Sequence, residues 1–170
     1  MVKTIETIFK ELNTKYKLKQ FYLASGGPAD VKGLGTSDVD IVYLVDKTTD
    51  YMNLDHIFPG YKKDQRPDKM RCYYLTKYAG RDVSICASSD ISVMRSIKHR
   101  KAELMLLIYP LITTCVIFHK LNGVKTEPAW ALVLGLQGDP YDEMTMDLAK
   151  LKKIAQKKEK ELKQIKDRIC

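Results

Sequence analysis

Apolar residues recur at helical spacing from the start of the chain. Val2, Ile5, Ile8, Phe9, Leu12 and Tyr16 share one face, which predicts an amphipathic helix over residues 2–18. The period then changes. "FYLAS" (21–25) reads as a short strand, broken by Gly26, Gly27 and Pro28. After a loop containing Gly33 and Gly35, "DVDIVYLV" (38–45) is the strongest strand signal, rich in β-branched and aromatic residues. It is too apolar to read as a sheet edge. "DKTTDYMNLDHIFPGY" (46–61) is mixed, with a short helix expected near 50–57. "MRCYYLTK" and "RDVSICAS" flank "YAG" and read as a hairpin.

Helical periodicity returns over 89–108, with Ser88, Ser89 or Asp90 as N-cap. Pro110 interrupts it, and a second apolar helix runs to about Leu121, ending at Asn122-Gly123. Thr126 and Pro128 open a short helix around Trp130. Asp139 and Pro140 open one long, lysine-rich helix. Such an order predicts an α+β fold: a small mixed β-sheet of about four to five strands backed by helices, with a helical C-terminal half. Residues 1–90 would be the core domain. Residues 91–170 would be a helical region packed on it and ending in a basic helix.

Composition narrows the class. The 170 residues are 45% apolar, enough for a real core. No apolar run reaches about 18 residues, so no membrane span is expected. Acids inside the first helical pattern argue against a secretory signal. Cys72, Cys86, Cys115 and Cys170 form no CxxC pair, and the three histidines lack zinc spacing. Scattered thiols fit a reducing, cytoplasmic setting. His99 and His119 are expected to pack rather than to ligate. The net charge is +8, and residues 147–170 carry +5 of it. Such an excess favours phosphate-rich partners, although lysine-rich helices are usually solvated faces.

The chemistry concentrates at two aspartates. Side chains alternate along a strand, so Asp38 and Asp40 point the same way while Val39 and Ile41 turn to the other face. Two like charges on one face repel, and a bound cation between them relieves the repulsion. Magnesium suits the task, since it takes hard oxygen ligands and shares its shell with phosphates. Asp82, at the head of the strand "DVSIC", supplies a third carboxylate if that strand lies beside 38–45. Gly26 and Gly27 would let backbone N–H groups approach an anion closely.

"SGG", followed by a loop, "SDVDIVYLV" and then "RDVSI" downstream, resembles the nucleotidyltransferase superfamily, the fold of the DNA polymerase beta family and the minimal nucleotidyltransferases. Residues 21 to 86 carry the likeness. "VKGLGTSDVDI" and "SIKHRKAELMLLIYPLITTCVIFHKLNG" resemble the GrpB-like branch within it. The resemblance implies that Asp38, Asp40 and Asp82 are catalytic and bind Mg²⁺ or Mn²⁺. It also implies that Ser25, Gly26, Gly27, Lys32 and Ser37 hold a nucleoside triphosphate such as ATP. Asp82 would help deprotonate an attacking hydroxyl. The chain departs from the family pattern at Gly27, where many relatives have Ser, and at Pro28, where many have Arg. Lys32, or Arg95, Lys98, Arg100 and Lys101, would supply the missing charge.

The expected function is therefore transfer of a nucleoside monophosphate from an NTP to a hydroxyl acceptor, with release of pyrophosphate. Two alternatives stand beside it. One is a nucleic-acid-binding module built on the basic tail. The other is a non-catalytic interaction protein of the same fold, whose last helix pairs with a partner.

Overall fold

The computed structural model describes residues 3–26 and 38–169, the side chain of Met146 excepted. It is α+β, with one five-stranded mixed sheet and a helical C-terminal half. The chain divides into two compact units, and the division falls between Ile97 and Lys98. No helix among the described residues is long and apolar enough to cross a membrane.

The first unit begins with α1 (Ile5–Tyr16). Thr4 caps it by accepting from the Thr7 N–H at 3.2 Å, and Lys17 ends it by turning left-handed at φ 51°. The Thr4 cap at one end and the left-handed turn at the other are why the helix is shorter than the 2–18 pattern suggests. Ile5, Ile8 and Leu12 are fully buried. The strands follow: β1 (Phe21–Leu23), β2 (Val39–Leu44), β3 (Lys62–Arg66), β4 (Arg71–Tyr78) and β5 (Arg81–Ser88). Their order across the sheet is β1-β2-β5-β4-β3. β2 and β5 run parallel, and the remaining neighbours are antiparallel. Val39, Ile41, Val83 and Ile85 share one buried face with the apolar residues of α1. On the other face Val42 and Cys86 lie under Val93 and Ile97.

Beyond the length of α1, two features of the first unit differ from the sequence reading. The helix expected near 50–57 is a series of turns. Asp50 accepts from the Met52 N–H (3.0 Å) and from Asn53 Nδ2 (2.6 Å), a local bonding pattern that competes with helix. Buried Tyr74 takes up the next donor: the Leu54 N–H donates to its hydroxyl at 2.8 Å, and that hydroxyl donates to the Tyr51 carbonyl at 2.9 Å. The second difference in this unit is β3, which no apolar alternation announces. "KKDQR" is a charged edge strand held by pairing to β4, as edge strands often are.

The first unit ends in a 3-10 turn at Ile91–Met94, which Asp90 caps by accepting from the Ser92 N–H at 2.9 Å, and the helix α2 (Arg95–Leu106) continues from it into the second unit. Next come α3 (Pro110–Leu121), α4 (Thr126–Leu134), α5 (Pro140–Met146) and α6 (Leu148–Ile169). The long helix expected from Asp139 onward is thus two helices. Asp147 adopts extended backbone and its carboxylate accepts from the Ala149 (2.9 Å) and Lys150 (3.1 Å) N–H groups, which starts α6 afresh. Trp130 is fully buried, and its indole N–H donates to Glu103 at 2.8 Å. His99 is buried against Tyr141, rings parallel and 4.5 Å apart, with Nδ1 3.7 Å from the Glu103 carboxylate. Burial pushes the Glu103 carboxyl up, against the opposing pull of His99 and the Trp130 hydrogen bond.

α3 begins at a proline and has no side-chain cap of its own. Glu159 of α6 supplies one from a distance, accepting from the Leu111 and Ile112 N–H groups at 3.0 Å each. Glu159→Ala should therefore lower stability by about 1–2 kcal/mol, read as a shift in the urea midpoint. Tyr74→Phe should cost about 1–3 kcal/mol, because a buried N–H and a carbonyl lose their partner. A midpoint equal to that of the parent would show that water replaces the hydroxyl.

Candidate active site

The carboxylates come together through strand register. β1 is antiparallel to β2, with Leu23 opposite Ile41, so the end of β1 meets the start of β2. There the Ala24 and Ser25 N–H groups donate to the Asp40 carbonyl at 2.8 and 3.3 Å, and the Asp40 N–H donates to Ser25 Oγ at 2.8 Å. Gly26 follows at φ 110°, a conformation that a residue with a Cβ rarely adopts. On the other flank β5 runs parallel, with Val39 opposite Val83 and Asp40 opposite Ser84. Asp82 therefore stands at the same end of the sheet as Asp38. Alternation turns Asp38, Asp40 and Asp82 away from the face that buries Val39, Ile41 and Val83.

The electrostatics of the three differ. Asp40 lies between an open end, where Asp38 is exposed, and the buried Val42 and Cys86 two positions along. Its side chain reaches solvent, yet the surrounding protein strips enough water to matter. Desolvation first, and the charge of Asp38 second, push its carboxyl up to about 6. Neither Asp38 nor Asp40 forms an ion pair among the described residues. Asp82 does: Lys77 Nζ sits 2.9 Å away on β4, opposite it in register. Asp82 and Asp38 both raise the Lys77 ammonium, with the Asp82 hydrogen bond foremost.

The structure thus places Asp38, Asp40, Asp82, Ser25 and Gly26 at one end of one sheet. Gly27, Lys32 and Ser37 lie outside the described residues. Of the basic residues considered for phosphate, Arg95 belongs to the first unit, and Lys98, Arg100 and Lys101 to the second. No group of three or more His, Cys, Asp or Glu side chains that could hold a metal ion occurs among the described residues. Lys77 is the residue that sequence reasoning missed. Its signal was present: a two-residue turn at Ala79-Gly80 sets Tyr78 opposite Arg81, and therefore Lys77 opposite Asp82.

In chemical terms, two carboxylates without an ion pair among the described residues, beside a hydroxyl and a glycine bend, present oxygen donors of the kind that hard cations take. Neither the curated proteins nor the solved structures contain a match to this chain. The model of one family, described as "Domain of unknown function (DUF4269)", matches residues 7–146. That segment runs from α1 to the end of α5 and includes the whole sheet, so the chain belongs to the DUF4269 family.

Proposed function

We propose that this chain is a metal-dependent nucleotidyltransferase that moves a nucleoside monophosphate from an NTP to a hydroxyl acceptor. One observation carries the reading. Asp38 and Asp40 share a face, form no ion pair among the described residues, and raise the cost of ionising Asp40. An arrangement that opposes its own charge is what a cation site requires before the cation arrives. The donor set fits Mg²⁺ or Mn²⁺: Asp38 and Asp40 would hold it, with Asp82 as the third carboxylate of the set. A bound divalent cation would supply charge neutralisation for the phosphate oxygens.

In the proposed reaction the acceptor oxygen forms a bond to the α-phosphorus. The bond from that phosphorus to the β-phosphate oxygen breaks, and pyrophosphate leaves with the electron pair. The hydroxyl proton passes to a carboxylate, for which Asp82 is the candidate. Lys77, beside Asp82, adds positive charge close to where the phosphates would lie. Ser25 fixes the Asp40 backbone, so its hydroxyl has a positioning role as well as any contact with nucleotide.

The direct test is incubation with labelled NTPs, Mg²⁺ and hydroxyl acceptors. Asp40→Asn should lower transfer by about 10²-fold or more, and equal transfer by the variant would remove this site from the reaction. The raised Asp40 carboxyl also sets a pH dependence. The folded chain holds this proton more tightly than the unfolded chain. The Asp40 contribution to folding is therefore most favourable at low pH, weakens as pH rises from 3.8, and is fully lost above about 6. Asp40→Asn should raise the melting temperature at pH 8, by no more than about 2–4 °C given the solvent exposure, and leave it unchanged near pH 4. Protons and cations compete for the same oxygens, so stabilisation by 10 mM Mg²⁺, about that concentration being enough for weak carboxylate sites, should be present at pH 8 and absent at pH 5 in thermal-shift measurements.

A further inference from the structure

The family match ends at Met146, and α6 begins two residues later. Leu151 and Ala155 bury one face of this helix, with Ile154 and Leu162 packed partly against the same cluster. At 3.6 residues per turn, Lys150, Lys152, Lys153, Lys157, Lys160 and Lys163 fall on the opposite half, and all six are exposed. From Lys150 to Lys163 the row spans about 20 Å. Successive charges along it recur every one to four residues, on average about 4 Å apart along the axis.

The acids of α6 do not neutralise the row. Glu159 is committed to the Leu111 and Ile112 N–H groups of α3. Glu161 pairs with Lys158 at 2.8 Å. The six lysines form no ion pair among the described residues. An ordinary solvated helix intersperses opposite charges at i,i+4 spacing on its outer face. Here the acids sit toward the packed side, and the outer half is left with one sign as far as Asp167 near the end.

We propose that the outer face of α6 is a docking surface for the phosphodiester backbone of nucleic acid. A nucleic-acid strand presents one negative charge every few ångströms along an axis, and six cations spread over about 20 Å of one half of the helix circumference meet a run of phosphates better than they meet a point anion. A bilayer surface fits less well. Helices that lie in a membrane interface insert their apolar face, and the middle of that face of α6, Leu151, Ile154, Ala155 and Leu162, is engaged within its own unit, which leaves only Leu148 at one end and Ile165 and Ile169 at the other exposed. The row carries no aromatic side chain, so the contact is with backbone phosphates and carries no base preference. This inference stands independently of the proposed transfer reaction.

The test measures binding of the full chain to fluorescein-labelled 20-nucleotide RNA, DNA and duplex DNA by anisotropy between 50 and 200 mM salt, a range of about the width over which phosphate contacts reveal themselves. Binding should weaken steeply with salt. The variant Lys153→Gln/Lys157→Gln/Lys160→Gln should bind at least about 10-fold more weakly at low salt and lose about 2.7 units of the duplex log–log slope, three contacts at 0.9 each. A control with the same net charge, Lys10→Gln/Lys19→Gln/Lys62→Gln, should retain the parent slope. Circular dichroism should show both variants folded, since Gln and Lys have similar helix propensity and the control positions outside helices, Lys19 and Lys62, are exposed. Absent binding, equal losses in the two variants, or equal affinity for phosphatidylserine vesicles or polyglutamate would each overturn the proposal.

Discussion

The parallel pairing of β2 with β5 is the constraint from which the rest of this protein follows. It places Val39 beside Val83 and Ile41 beside Ile85, four side chains almost wholly removed from water. Burying such side chains stabilises by about 1.5–3 kcal/mol each. Repulsion between two partly solvated carboxylates is on the order of 1–4 kcal/mol. The apolar term is larger, so the register that buries the aliphatic residues prevails. A slip by one residue would turn Asp82 toward α1 and expose Val83. Hydrophobic burial therefore imposes an arrangement of charges that the charges themselves oppose.

That opposition is relieved unequally. Asp82 finds Lys77 across the hairpin, and both side chains remain mostly in water, where such a pair contributes little to stability. Asp40 has no such partner among the described residues, and its neighbours include the buried apolar patch around Val42. A group in that position is the natural place for stability to be given up for binding. The proposed cation site rests on this asymmetry within the trio more than on the number of acids.

The helical unit treats charge in a different way. Two of its polar features are satisfied from within the unit, the Trp130 indole by Glu103 and the bare N-terminus of α3 by Glu159, while His99 Nε2 and the Tyr109 hydroxyl are buried without a hydrogen-bond partner among the described residues. Glu159 has two consequences at once. It completes a helix that begins with proline, and it takes one of the few acids of α6 away from the solvent side. The lysine row is in this sense a by-product of how α6 packs, and it becomes a binding surface only if a polyanion uses it.

The sequence alone determined the elements whose chemistry is local. The period of α1, the β-branched run of β2, the hairpin turn at Ala79-Gly80 and the break at Asn122-Gly123 are all properties of adjacent residues, and each element is found within the stretch where the pattern places it. The pairing of Asp38 with Asp40 on one face was equally legible, because alternation along a strand needs no partner. Tertiary structure alone decided the rest. β3 has no apolar alternation and exists because β4 offers it hydrogen bonds. The 50–57 segment carries helix-compatible residues, but the Tyr74 hydroxyl and the Asp50 side chain hold its backbone in turns. Asp147 restarts a helix inside a continuous helical pattern. Which cation faces Asp82, and how far burial shifts Asp40, depend on neighbours distant in the chain, since desolvation and cross-strand register are sums over space that no local window of residues contains.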